Sequence, residues 1–375
     1  MEIKNLNEVC MINMGQSPDS SSYNDKKEGL AFYQGNADFG EIHPTTRVWC
    51  NNPIKIAEKD DILISVRAPI GSMNIANEKC CIGRGLASIK PIDKNECNQN
   101  YLYYFLESKV PYMQSKGTGS TFKAINKGIL TSLQIKLPNI REQEKISSII
   151  SKIKAQIHNK KLQIRKYDEL VKSQFIEMFG DPLSNNIFEL QELNTVCDVR
   201  DGTHDSPKYH NIGYPLITSK NIINGGISFD DVNLISKEDY DKINQRSFVD
   251  NGDILMPMIG TIGNPVIVDK IKDFAIKNVA LIKFYKDSKI DNHFLYYLMK
   301  SDSFNSYLKE KNKGGTQKFV SLGIIRKIKI ITPPIELQNQ FAEFVKHIDK
   351  LKFTIKQSIE KLELCYKSLM KQYFD

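Results

Sequence analysis

Two stretches 195 residues apart, LPNIREQEKI (137–146) and TPPIELQNQF (332–341), carry one pattern, and each opens a long run without an internal Gly or Pro until its far end. A repeat constrains a chain more than any single motif, because a duplicated unit folds as a duplicated structure. The echo extends further. KDDILISVRAPIGSM (59–73) is matched by NGDILMPMIGTIGNP (251–265), and YLYYFLES (101–108) by FLYYLMKS (294–301). KGTGSTFKAINKGIL is then matched by KNKGGTQKFVSLGII, and the offset drifts from 192 through 193 to 195 as small loop insertions would make it. The segments arrive in the same order both times.

Each unit reads as strand-rich first and helical last. Short apolar runs (ILISV, ASIKPI and LQIKL; DILMPM, VALIKF and IKIIT) are bounded by Gly, Pro, Asn and Asp, the pattern of strands and turns. The Tyr-rich octets predict one short packed helix per unit. Ahead of the shared part lie divergent, loop-rich fronts, roughly 1–58 and 185–250, with QSPDSSSYN in one and DGTHDSPKYHN in the other.

The two long runs are spaced as helices. Ile146, Ile150, Ile153, Ile157, Ile164, Tyr167 and Val171 alternate by threes and fours, interrupted by Lys160. Phe341, Val345, Ile348, Ile355, Ile359, Leu362, Tyr366 and Leu369 do the same, interrupted by Lys352. That alternation is the seam of a coiled coil. Pro138 and Pro333 suit helix starts, and Glu142, Glu144 and Glu336 place negative charge where the helix dipole favours it. At 1.5 Å per residue each helix runs roughly 60 Å. A seam of this kind also serves as plain core or as a dimer interface. The expected architecture is α+β: two tandem mixed α/β domains (1–138 and 181–333) and two long helices (139–180 and 334–375) pairing as an antiparallel coiled coil with a pseudo-two-fold axis.

Composition narrows the class. The chain has 375 residues, 41% of them hydrophobic, enough for two cores. No run of about 18 apolar residues and no signal-peptide order is present, so a cytoplasmic protein without a membrane span is expected. Seven cysteines without a CxxC pair argue for reduced, mostly buried thiols rather than a disulfide framework or a zinc knuckle. The net charge of +8 points toward polyanions.

Catalytic patterns fit poorly. TPPI has the prolines of an adenine-methyltransferase pocket but neither the preceding Asn or Asp nor the following aromatic residue. The Gly/Lys loops miss P-loop spacing. A nuclease pattern from Pro18-Asp19 to Asp25-Lys26-Lys27 falls in a polar loop with no echo in the second unit. His204 and His210 are as readily hydrogen-bonding loop residues as metal ligands. No catalytic or metal residue is assigned.

Binding chemistry remains. Gln16, Gln34, Asn36 and Arg47 in one front, with Thr203, His204, Lys220, Asn221 and Arg246 in the other, are candidate readers of base edges. Candidate phosphate contacts are Tyr23, Lys116, Thr118, Ser120 and Lys123, with Tyr209, Ser219, Lys313, Thr316, Gln317 and Lys318. Ordinary solvated loops would hold the same residue types. Six basic residues without an acid between Ser151 and Lys166 (Lys152, Lys154, Lys160, Lys161, Arg165, Lys166) make either a solvated helix face or a surface for DNA phosphate or an acidic partner.

The order of variable module, strut, variable module, strut resembles the specificity subunit of type I restriction-modification enzymes over essentially the whole chain. GTGSTFKAI…LPNIREQ fits the family pattern of a Gly/Thr loop, strand residues and Leu-Pro-x-x-x-x-Gln. GGTQKFVSL…TPPIELQ fits it less fully, with Thr332 in place of the leucine. GQSPDSSSYN…FYQGNADFG and DGTHDSPKYHNIGYPLITSKNI are similar to the family's target recognition domains. The resemblance implies a non-catalytic reader of an asymmetric, bipartite site on double-stranded DNA, with the paired helices fixing the gap. It implies docking of two methyltransferase subunits and, in the full complex, restriction subunits. S-adenosylmethionine, ATP and Mg would belong to those partners, with no cofactor in this chain. A stand-alone DNA-binding adaptor and a single-chain modification enzyme with a divergent site are the alternatives.

Overall fold

The computed structural model describes residues 2–119, 123–183, 187–223, 225–260, 262–311 and 319–375. The chain gathers into two compact units, 1–161 with 357–375, and 162–356. Both are mixed helix and strand.

The first unit is built on a four-stranded antiparallel sheet in the order Cys10–Met14, Leu86–Pro91, Ile62–Ser65, Met73–Ile75. A second sheet of five short strands holds a parallel pair, Leu30–Tyr33 with Cys80–Ile82. Glu2–Asn5 pairs antiparallel with Gln134–Leu137, drawing the start of the chain to the approach of the first long helix. The second unit repeats this plan. Its four-stranded sheet runs Cys197–Asp201, Val279–Phe284, Ile254–Pro257, Val266–Ile267, and its parallel pair is Tyr214–Ile217 with Ala275–Ile276. Leu190–Glu192 pairs with Lys329–Ile331 as Glu2–Asn5 does with its partner. One addition is the helix Lys237–Ser247 in the second front, capped by Ser236, whose hydroxyl accepts from Asp239 N at 3.1 Å.

The central strands Ile62–Ser65 and Ile254–Pro257 are buried along their whole length, because both faces of the sheet are covered and no position is left for alternation. The Asp-Ile-Leu echo has a cause in the turn before these strands. Asp61 accepts from Glu58 N and Asp253 from Asp250 N, so each buried carboxylate closes a turn at the surface. Burial pushes both carboxyls above the usual range, and in Asp253 the Lys283 ammonium at 2.6 Å works against that rise.

The helices Ile140–Phe179 and Ile335–Phe374 are each 40 residues long. Sequence expectation set them apart as separate segments; in the structure each is shared between the units, because its two ends lie in different cores. In the first unit Ile146 and Ile150 are buried in one cluster with Met370 and Phe374. In the second, Val171, Phe175 and Phe179 are buried with Phe341, Val345 and Ile348. Within each unit the two helix segments therefore run in opposite directions. Every residue of the expected seam is buried or half-buried, Ile153, Ile157, Ile164, Tyr167, Leu362, Tyr366 and Leu369 being the half-buried ones. Lys352, which interrupts it, bonds Asp168 at 2.6 Å. Burial works against its charge, but Asp168 and Asp349 more than offset this and hold the ammonium above its ordinary pKa.

The opening echo is explained by its glutamine. Gln143 is fully buried; its Oε1 accepts from Asn98 N at 2.8 Å, and its Nε2 donates to Glu96 O and Pro138 O at 2.8 Å each. Gln338, equally buried, accepts from Asp291 N at 2.9 Å and donates to Lys289 O at 2.9 Å and Pro333 O at 2.7 Å. One side chain thus satisfies three backbone groups, the buried proline carbonyl among them, and ties each long helix to the loop before the Tyr-rich helix. Six of the seven cysteines are buried, Cys365 is exposed, and all are free.

Candidate functional site

Three chain segments meet at the front of the first unit: residues 15–17 after the strand Cys10–Met14, residues 34–38 after Leu30–Tyr33, and residues 83–85 between Cys80–Ile82 and Leu86–Pro91. They approach backbone to backbone. A Cβ on Gly15 would overlap the Gly83 carbonyl oxygen, and one on Gly85 the Gln34 carbonyl oxygen, which is why glycines stand there. Gln16 N donates to Ile82 O at 3.0 Å and Gly83 N to Tyr33 O at 2.8 Å. Asp38 closes the turn at 36–38 by accepting from Gln34 N at 2.7 Å, and its other oxygen pairs with the exposed Arg47 at 2.6 Å. Gln34, Asn36 and Arg47 come together with Phe32, Asp38 and Pro69 around a concavity of about 690 Å³. Tyr23, expected at phosphate, packs its ring at a tilt against Phe32, centroids 4.7 Å apart, and donates its hydroxyl proton to Pro18 O at 2.8 Å. Its first task is to hold the front together.

The second front uses the same frame. A Cβ on Gly202 would overlap the Ile276 carbonyl oxygen, as Gly15 does with Gly83, and Gly202 N donates to Val279 O where Gly15 N donates to Leu86 O. Thr203, His204 and Arg246 line one concavity of about 370 Å³; Ser219 and Lys220 line another of about 520 Å³ with Lys277 and Asn278. Lys220 is exposed and pairs loosely with Asp231 at 3.4 Å. Tyr209 is exposed as well.

Two expected base readers are used otherwise. Asn221 is only 3% exposed; its Oδ1 accepts from Thr218 N at 3.0 Å and Thr218 Oγ1 at 2.9 Å, and its Nδ2 donates to Asp231 O at 3.1 Å. It closes the turn as Asp38 does in the first unit, and its amide does not face a groove. His204 places Nδ1 2.8 Å from Asn278 Oδ1 and Nε2 2.8 Å from Asp201 Oδ2. Two acceptors favour a ring carrying both protons, and its pKa is raised, first by Asn278 and then by Asp201. Neither nitrogen is left for a base edge, nor for a metal shared with His210. Arg246 bonds the same Asp201 carboxylate and is otherwise exposed.

The loop of candidate phosphate contacts from Lys116 to Lys123 is partly described. Lys116 lies over the Tyr112 ring at 5.5 Å, the Thr118 and Ala124 backbones exchange hydrogen bonds at 2.9 and 3.0 Å, and Lys123 is exposed. Ser120, Lys313, Thr316, Gln317 and Lys318 lie outside the described residues. In the basic helix run, Lys154 pairs with Glu107 and Lys161 with Glu363. Arg67, Arg84 and Lys277 are basic residues outside the expected contacts. Arg67 and Arg84 are exposed and, among the described residues, in no ion pair.

The duplicated frame identifies the family. The model of the type I restriction modification DNA specificity domain matches residues 1–166 and again 185–364. The chain belongs to this family. A putative type I restriction enzyme MjaX specificity subunit of Methanocaldococcus jannaschii is 47% identical over 142 residues, 38% of this chain and 33% of the relative, so the chain matches only about a third of that protein's length. The MjaVIII specificity subunit of the same organism is 25% identical over 347 residues, 85% of this chain and 79% of the relative. A crystal structure of the type I restriction-modification S subunit from M. genitalium covers 100% of this chain and 96% of its own, with a TM-score of 0.58 at 16% identity, a likeness of fold. Specificity domains are thus present twice, each with its own front. Among the described residues no helix is long and apolar enough to cross a membrane.

Proposed function

We propose that this chain is the DNA-reading subunit of a type I restriction-modification complex, with each front reading one half of a bipartite site on double-stranded DNA. The carrying observation is one frame with two fronts. The sheets and the helix-opening glutamines recur, while the residues lining the tips differ: Gln34, Asn36 and Arg47 in one, Thr203, Lys220 and Arg246 in the other. A frame held constant under changed tips suits two recognition tasks. Methylation and cleavage belong in this reading to methyltransferase and restriction partners, which would carry S-adenosylmethionine, ATP and Mg, and this chain contributes no catalytic group.

The test is co-expression with the methyltransferase subunits, then mapping of methylated sites with and without this chain. One bipartite motif that vanishes without the chain is expected; unchanged site preference, or methyl transfer by the chain alone, sinks the proposal. Gln34→Ala is expected to relax discrimination at one base pair of one half-site, roughly tenfold or more, as loss of a forked amide contact does. The other half-site keeps its sequence.

A further inference from the structure

We propose that Asp38 and Asp201 are positioning residues, one in each front, each holding an arginine (Arg47 and Arg246) whose remaining donors bond an acceptor on DNA. This rests on the DNA-reading function proposed above and adds two carboxylates that were not among its candidates.

The two arginines are mounted in the same way. Arg47 Nη2 donates to Asp38 Oδ1 at 2.6 Å and to Ala37 O at 2.7 Å. Arg246 Nη2 donates to Asp201 Oδ1 and reaches Asp201 O at 3.4 Å and Gly202 O at 3.5 Å. In both, Nη2 takes every bond, and among the described residues Nε and Nη1 have no partner. Arg200, in the same unit as Arg246, shows the alternative. Its Nε and Nη2 bond Asp198 and its Nη1 donates to Arg246 O at 2.9 Å, so all three nitrogens serve the fold. A guanidinium anchored at one nitrogen keeps the N–H groups of the other two, and here they line the concavity of each front.

Burial divides each pair. The Arg47 and Arg246 side chains are 57% and 64% exposed, whereas those of Asp38 and Asp201 are 14% and 12% exposed. The second oxygen of each carboxylate is occupied as well: Asp38 Oδ2 accepts from Gln34 N at 2.7 Å, and Asp201 Oδ2 lies 2.8 Å from His204 Nε2. Negative charge is thus withdrawn from the surface while the guanidinium stays on it. An ion pair with an exposed partner adds little to stability. What it supplies here is direction, because a long side chain already held in place loses less freedom when it meets a ligand.

The pairs are not copies of one another. Asp201 pairs with Ala280 where Met14 pairs with Ala87, so the first unit has a methionine at that register. Arg246 comes from the helix Lys237–Ser247, and Arg47 from the segment before the strand Trp49–Cys50. The frame requires neither pair, since each unit carries only one of them. Two unrelated routes to one anchored, exposed arginine point to the use of the fronts rather than to the frame.

The experiment uses the full chain purified with its co-expressed methyltransferase subunits and a labelled duplex pool of randomised sequence. Bound duplexes are sequenced, and affinity for those that the wild-type complex selects is titrated across a range of KCl concentrations. Asp201→Asn keeps the shape and removes a negative charge, which by itself would strengthen binding to a polyanion. It is instead expected to weaken binding roughly threefold to tenfold, the cost of ordering one long side chain at an interface. Arg246→Ala is expected to weaken it at least as much, and the double variant no more than Arg246→Ala alone. Asp38→Asn, Arg47→Ala and their double variant repeat the cycle in the first front. Among the described residues the Asp201 side chain bonds no backbone N–H, so Asp201→Asn touches no turn and carries the test even where Asp38→Asn, which loosens the turn at Gln34, fails to fold. The acceptor is located by the same data. Relaxation of the motif at one base pair, shared by Asp201→Asn and Arg246→Ala, places it on a base edge; an unchanged motif with a salt slope lower by about one in Arg246→Ala places it on a phosphate. Asp201→Asn binding as tightly as wild type or more tightly overturns the inference, and so does a double variant that shows the product of the two single losses. A wild-type complex that selects no motif overturns the DNA-reading function itself, and this inference with it.

Discussion

Gln143→Ala is expected to destabilise the first unit by about 3 kcal/mol. The side chain is fully buried and satisfies Asn98 N, Glu96 O and Pro138 O, so alanine leaves three backbone groups without that partner, the Pro138 carbonyl among them buried away from water. Gln143→Glu sharpens the test. Shape is kept, but the two protons offered to Glu96 O and Pro138 O are replaced by an oxygen, and repulsion with burial raises the folded-state pKa of that carboxyl. The folded protein then binds the proton more tightly than the unfolded chain. The deficit is therefore smallest below the unfolded pKa of about 4.3 and grows as pH rises toward the folded-state value. Urea unfolding followed by the fluorescence of Trp49, the chain's single tryptophan and part of this unit, reads both effects. If Gln143→Ala unfolds at the wild-type midpoint, the recurrent glutamine is not what fastens the helix. Gln338→Ala is expected to act likewise on the second unit.

Phe374→Ala is expected to cost the first unit about 3 to 5 kcal/mol, the usual range for a buried phenyl ring replaced by a methyl group. Phe374 is almost fully buried, with its ring 5.0 Å from Tyr101 and 6.4 Å from Phe105 of the Tyr-rich helix. The second unit has the same joint: Phe179, at the end of the other long helix, lies 4.8 Å from Phe294 and 5.6 Å from Phe341. Phe374→Leu, which keeps most of the volume, is expected to cost below about 1.5 kcal/mol. The same Trp49 signal reports it. A Phe374→Ala protein as stable as Phe374→Leu would mean that the last turn of the helix frays freely from Tyr101.

Much of the frame is legible before any coordinates. Duplication, strand-rich fronts, the two helix starts and the threes-and-fours spacing all come from local pattern, because burial on one side of a helix forces a period near 3.6 and a buried strand forces an apolar run. The role of the glutamine is not legible. LPNIREQ and TPPIELQ invite attention to their prolines and acids, and nothing local says that an amide three residues into a helix turns inward to meet a loop some 45 residues earlier. The helices were expected to stand apart from the domains, and the opposite ends of each in different cores show why a helix boundary is not a domain boundary.

Readers and clamps divide along the same line. Residue type alone placed Gln34, Arg47, Lys220 and Arg246 on the fronts, and they are exposed there. It equally placed Asn221 and His204, whose polar atoms are consumed by Thr218, Asp231, Asn278 and Asp201. What the sequence by itself determined is that one unit is written twice with different fronts, since repetition and periodicity are properties of order along the chain. Which polar groups remain free at the fronts was decided only by the tertiary structure, because a hydrogen bond is spent or available according to what folds against it.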